Sequence, residues 1–287
     1  MDVSVEQVKE LRNKTGAGLM DCKKALMESG GDFEKAIEYL RKKGSLTAQK
    51  RIDKIAKEGL ILAKTIEDRA EAAIIEVNCE TDFVARSSEF QAFTKSALGS
   101  VLGAKTDSIE SILASTYDGA NIKNSLDELV AKVGEKIEIK RADYFKSGNG
   151  FFCEYNHVGN KIASIVELTG QITDKGVVLG TDLSMQVAAM KPIAVDRNGI
   201  SPELINKEKE IYISQAKNEK KPESIAEKIA ANKIEKFFQE NCLVEQEFIK
   251  EQGKTVAEII NSVSKEAGTD YKVKQFVRYQ LGETLNI

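Results

Sequence analysis

An acidic residue and a large aromatic stand side by side in Asn78-Cys79-Glu80-Thr81-Asp82-Phe83-Val84-Ala85. The apolar run Ala72–Val77 before them reads as a buried strand, and the amphipathic segment from Phe90 to Leu102 after them as a helix. At such a turn Asp82 can cap the helix, while Phe83 can fill the core or project toward a partner. Cap plus core is the ordinary role for such a pair.

Catalysis would need more than this turn offers. The four cysteines, Cys22, Cys79, Cys153 and Cys242, lie far apart without a C-x-x-C pair, and the chain has one histidine, His157. That argues against a zinc site or a disulfide framework. A thiol mechanism would have to join Cys79 or Cys153 to His157, which falls in a predicted hairpin turn and reads as a polar turn residue. No Gly-x-x-x-x-Gly-Lys-Ser/Thr phosphate loop and no Gly-x-Gly-x-x-Gly fingerprint occurs. Thr15-Gly16-Ala17-Gly18 has glycines but neither the Lys-Ser/Thr pair nor a preceding strand, so it reads as a corner between helices. Cys22 lies on an apolar helix face and reads as core. Neither catalytic machinery, a cofactor nor a resident metal is expected.

Composition bounds the class. With 287 residues, 41% hydrophobic and 30% charged, the chain suits a globular protein of two or three domains. Its net charge of −3 lacks the basic footprint of a nucleic-acid binder, so no direct nucleic-acid contact is expected. Residues 1–57 hold 13 Lys/Arg against 9 Asp/Glu, a basic head on an acidic body that suits an acidic protein surface. The opening Met1-Asp2-Val3-Ser4 lacks a basic-apolar leader, and no apolar run approaches ~18 residues. A cytoplasmic, reduced protein without a membrane partner is expected.

The elements that position the turn follow from periodicity and punctuation. Residues 3–44 read as three helices: one with a Ser4/Gln7 capping box stopped by Gly16, one from Gly18 to Gly30-Gly31, and one capped by Asp32 and ended by Gly44. Gln49–Lys54 links this head onward. Strands are predicted at Leu60–Ala63 and Arg69–Val77, then helices over about 82–103 and at Ser125–Val133. A strand-rich block follows at Lys136–Tyr144, Gly150–Asn156 and Lys161–Leu168, with hairpin chemistry at Ser147-Gly148-Asn149-Gly150 and Gly159-Asn160. A helix over about Asp182–Met190 precedes Pro192. A charged helical hairpin, about 202–241, turns at Asn218–Pro222 and reads as a solvated projection or one that pairs with another chain. A last strand, Lys272–Leu281, alternates with one slip. Two similar units emerge, each a hairpin with an apolar second strand and then a helix. The fold class is α+β: a three-helix domain at 1–54, then two α+β subdomains with antiparallel sheets at 55–140 and 141–287.

Two long segments then resemble one family. Arg12-Asn13-Lys14-Thr15-Gly16-Ala17-Gly18-Leu19-Met20-Asp21-Cys22-Lys23-Lys24-Ala25-Leu26 is similar to the N-terminal signature of the elongation factor Ts family. Glu76–Ala85 is similar to its second signature, at the family's separation. The likeness continues through Tyr155-Asn156-His157, Lys221-Pro222 with Ile225–Lys228, Lys254–Val256 and Phe276–Tyr279. The turn Val158-Gly159-Asn160-Lys161 departs from the more glycine-rich, arginine-ending turn of relatives.

The resemblance implies a ubiquitin-associated-like head, a two-part α+β core and a coiled-coil arm. It implies a guanine-nucleotide exchange factor for elongation factor Tu, in which Asp82 and Phe83, flanked by Thr81 and Val84, disturb the partner's magnesium and switch region. Met20 and Lys23 on the head, and His157 in the core, are further contact candidates. Pairing of two copies through the arm stays open. The competing readings are an adaptor for a ubiquitin-like partner, suggested by the head alone, and the thiol enzyme above; neither accounts for the second signature.

Overall fold

The structure, a computed structural model, describes residues 3–15, 17–50, 56–218 and 222–283. The expectations at Gly16, at 51–54 and at 219–221, including Lys221, lie outside the described residues.

Reciprocal capping starts the first helix, α1 (Val5–Thr15): Gln7 N–H donates to Ser4 Oγ at 3.1 Å, and Ser4 N–H to Gln7 Oε1 at 3.0 Å. The second, α2 (Leu19–Glu28), runs into Gly30 and Gly31, both in the left-handed region at φ 61° and 84°. Asp32 accepts from Lys35 N–H at 3.1 Å and starts α3 (Phe33–Lys50). Leu11, Cys22, Ala25, Leu26 and Ala36 close a small core among the three. Gly44 does not end α3, which continues to Lys50. A glycine inside a helix costs about 1 kcal/mol but does not terminate it.

Two three-stranded antiparallel sheets form the body. The first hairpin is β1 (Glu58–Thr65) and β2 (Glu71–Cys79). Then come α4 (Asp82–Ala85), α5 (Ser88–Ala104), α6 (Ile109–Ala114), a small ribbon of β3 (Thr116–Tyr117) and β4 (Ala120–Asn121), and α7 (Ile122–Val133). The strand β5 (Ile137–Lys146) returns to pair with β2. The second unit repeats the plan: hairpin β6 (Gly150–Asn156) and β7 (Ile162–Thr169), helix α8 (Asp174–Met190), arm helices α9 (Pro202–Asn218) and α10 (Glu223–Asn241), helix α11 (Val256–Ala267), and β8 (Lys272–Gln280) on β7. The corresponding long helices α5 and α8 are both 17 residues and both end on a left-handed lysine, Lys105 at φ 53° and Lys191 at φ 51°.

Every residue of β2 is buried because helices cover one face and the second sheet the other. Phe90, Phe93 and Val101 pack on its Ile75 and Val77, while Ile74 meets Phe152 and Ile165 across the sheets. That double burial is why Ala72–Val77 reads as an apolar run interrupted only by Glu76. The two charges of β2 are both paired, Glu71 with Lys105 Nζ at 2.6 Å and Glu76 with Arg141 Nε at 2.7 Å, and the Arg141 guanidinium stacks 3.8 Å over the Tyr279 ring.

Several expectations change. Residues 82–103 form two helices, because Ser87 caps the second by accepting from Phe90 N–H at 3.3 Å. Since β5 pairs with β2, the turn Ser147–Gly150 is a crossover between sheets; Ser147 Oγ accepts from Gly150 N–H at 2.8 Å and donates to buried Glu167 at 2.7 Å. The helix expected from 182 starts at Asp174, under a Thr173 cap. The slip in the last strand is a register shift opposite Glu167 and Leu168. Residues 242–253 fold around buried Leu243 and Phe248, and α11, unanticipated, carries a Thr255/Glu258 capping box.

At the arm's root Arg197 reaches Glu235 at 2.8 Å and Glu245 at 2.7 Å and lies 4.4 Å over the Phe238 ring. Among the described residues no helix is long and apolar enough to cross a membrane.

Candidate functional site

Where β2 leaves the core, the chain turns within two residues. Glu80 accepts from Lys136 N–H at 2.6 Å, and Thr81, at φ −125° and ψ 155°, is the N-cap of α4. Its Oγ1 accepts from Val84 N–H at 3.4 Å. Thr81 is itself held: its N–H donates to Glu135 Oε2 at 3.0 Å and its hydroxyl to Glu135 Oε1 at 2.7 Å. The neighbouring Cys79 thiol donates to the Thr81 carbonyl at 3.1 Å.

This capping frees Asp82, which lies in the first turn of α4, where a carboxylate suits the helix dipole, and pairs with Arg86 at 2.8 Å. Ala85 points into the core and Val84 packs partly against it. Phe83, on the remaining side, is 83% exposed. Of the two roles open to this aromatic in the sequence, core and projection, the fold gives it the second.

Beside α4 lies a groove that Asp82 and Arg86 share with the turn Val158–Lys161. The turn is docked there by its backbone: Ile61 N–H donates to the Asn160 carbonyl at 2.7 Å, and Asn156 bonds both N–H and C=O of Ala63 at 2.8 and 3.0 Å. Val158 is as exposed as Phe83. His157 stands at the base of this turn, with its Nδ1 2.9 Å from the Tyr155 hydroxyl. Met20 and Lys23 are exposed on α2 of the head, and Met20 is 74% exposed. The head meets the body where α3 packs on α7. Thr81, Asp82, Phe83 and Val84 thus form one contiguous feature, with the His157 turn beside it and Met20 and Lys23 on a separate element.

All four cysteines are buried. Burial pushes the Cys79 thiol up to about 12, with the Glu135 and Glu58 carboxylates adding to the effect. It pushes Cys153 and Cys242 up to about 11. Cys153 lies against the Val177 carbonyl and Arg69, whereas His157 pairs with Tyr155. The arrangement a thiol enzyme needs, an ionisable cysteine on a histidine, is therefore not formed by Cys79 or Cys153. Among the described residues no cluster of metal-ligating side chains occurs either.

Two contributors escaped sequence reasoning. Glu135 is 54 residues from Thr81, and nothing in its local sequence points across that distance. Arg86 was findable, since it stands four residues after Asp82 where the turn was expected to become helix.

A helical head, twin antiparallel α+β units with an inserted arm, and an exposed acid–aromatic turn define the class. The sequence model of a family described as "Elongation factor TS" matches residues 80–283. The chain is 46% identical to elongation factor Ts of Chlorobium phaeobacteroides, over 98% of this chain and 99% of that one. It is 43% identical to that of Chloroherpeton thalassium, with the same coverage, and 41% to that of Clostridium botulinum, over 98% and 93%. The chain belongs to the elongation factor Ts family, whose members are translation elongation factors.

Proposed function

We infer that the chain is a guanine-nucleotide exchange factor that binds elongation factor Tu in its GDP form and promotes GDP release, so that GTP replaces it during translation elongation in the cytoplasm. The observation that carries the reading is Phe83, 83% exposed just beyond a strand that is wholly buried. A large aromatic held out by a capped turn is the kind of anchor that dominates protein interfaces.

A translational GTPase holds GDP by backbone amides around the phosphates and by a magnesium ion that neutralises their charge. Release is slow because those contacts break together. A factor that binds the empty form better than the loaded form weakens nucleotide binding by the factor with which nucleotide weakens its own. Phe83 acts as a wedge between packed elements of the partner near its magnesium, and Asp82 brings a negative charge that competes for polar groups there. Thr81 and Val84 frame the wedge. Met20 and Lys23 on the head and His157 in the core supply further contact. No group transfers a proton or forms a bond, so the chain works as a binding protein rather than an enzyme. In this reading the head (1–54) grips, and the two units of the body present the wedge.

Stopped-flow release of labelled GDP from elongation factor Tu tests the assignment. Phe83→Ala loses an anchor worth ~2 kcal/mol or more, so stimulated release slows roughly 30-fold while the fold persists. Unchanged release by a folded Phe83→Ala protein would remove the wedge.

A further inference from the structure

The turn that presents Phe83 does not hold itself in place. Its cap residue, Thr81, has two donors, the backbone N–H and the hydroxyl, and both go to a single carboxylate, that of Glu135, at 3.0 and 2.7 Å. Glu135 comes from a different element. It follows Gly134, which ends α7 in the left-handed region at φ 71°, and precedes β5. The same short linker meets the turn a second time, because Lys136 N–H donates to Glu80 at 2.6 Å. Glu135 is half-buried, so its carboxylate bonds are less exchangeable with water than surface ones.

α4 is four residues long and has little helical stability of its own. Ala85 anchors its far end in the core, and Thr81, its N-cap, fixes the near end. A carboxylate that takes both donors of the cap residue sets the position of Thr81 and its orientation together. Phe83 is two residues further on and has no burial to steady it. Asp82–Arg86, at 2.8 Å, joins two residues of the same turn and does not tie it to the body.

We propose that Glu135 is a positioning residue for exchange: it touches no nucleotide and aims the Phe83 wedge by clamping Thr81 onto the linker after α7. This rests on the exchange-factor reading above. α7 is also the helix on which the head packs through α3, so head and wedge are both registered on α7 and the linker that follows it. The clamp therefore sets the reach from the gripping head to the wedge.

The test is a cycle of Glu135→Ala, Phe83→Ala and the double variant in the full chain, with Glu135→Gln alongside. The readout is the limiting rate of labelled GDP release from elongation factor Tu. Losing two charge-assisted hydrogen bonds is expected to slow stimulated release roughly tenfold in Glu135→Ala. Glu135→Gln keeps an acceptor oxygen and recovers part of the rate. In the Phe83→Ala background Glu135→Ala costs less than about twofold, because there is no wedge left to aim. Equal slowing in both backgrounds overturns the proposal, since Glu135 would then act elsewhere. So does full activity of Glu135→Ala when Phe83→Ala is slow; that result spares the wedge. An inert Phe83→Ala removes the wedge itself and the positioning role with it. If Glu135→Ala does not fold, Glu135→Gln carries the same cycle.

Discussion

Phe83 forgoes burial that would be worth roughly 1.5–3 kcal/mol, and Thr81 takes the capping role that Asp82 also offered. Thr81 and Asp82 both have cap chemistry, and the backbone brings the Thr81 oxygen to the N–H of Val84. Asp82-Phe83 was legible as a contact or core pair since its residues are contiguous; the Glu135 clamp was not, since it joins distant loops. The cysteines make a residue-scale prediction. Their raised thiols stay protonated near neutrality, so a disulfide reagent at pH 8 should leave all four unmodified in the native protein and label them on unfolding. The pH dependence has a sign. An unfolded thiol ionises near its ordinary 9, whereas folded Cys79 waits until about 12. Above pH 9 the unfolded state therefore holds fewer protons, and stability should fall as pH rises from 9 toward 12. Denaturant titrations at pH 8, 9 and 10 measure that slope; a stability that rises over the interval contradicts it.

The long helix of the second unit, α8, depends on close approach to its sheet. Gly180 of α8 lies where a Cβ would fall 2.9 Å from the Cys153 Cβ and closer still to its Sγ. Gly180→Ala should overpack this contact and destabilise the protein by ~1–3 kcal/mol, visible as a lower Tm, whereas Gly103→Ala, with open space at the Cβ, should not. The same glycines explain why the first half of α8 was hidden in the sequence. Gly176 and Gly180 lower the helical propensity of that stretch, and they serve packing against Tyr271 and Cys153. Where signals were local, the sequence was readable: the Ser4/Gln7 box and the Asp32 cap stand as expected. Where the outcome depended on which strand pairs with which, it was not. Ser147–Gly150 has hairpin residues, yet β5 pairs back with β2, because β2 needs a third strand to bury its edge.

At the scale of the whole molecule, two α+β units share one interior. Ile61, Ile74, Phe152 and Ile165 join the sheets face to face, and Arg141 spans the seam, bound to buried Glu76 at 2.7 Å and to the Gln280 carbonyl of β8 at 3.3 Å. Arg141→Ala leaves Glu76 charged and unpaired in the interior, at a cost of about 3 kcal/mol. Urea unfolding should then shift to a lower midpoint with one cooperative transition, and an unshifted midpoint would mean that the seam is not held there. One measurement tests exchange directly: the dissociation rate of labelled GDP from elongation factor Tu as this protein is added with excess unlabelled nucleotide. The rate should climb with protein concentration to a plateau far above the unassisted rate. A rate that stays at the unassisted value at every concentration contradicts the account.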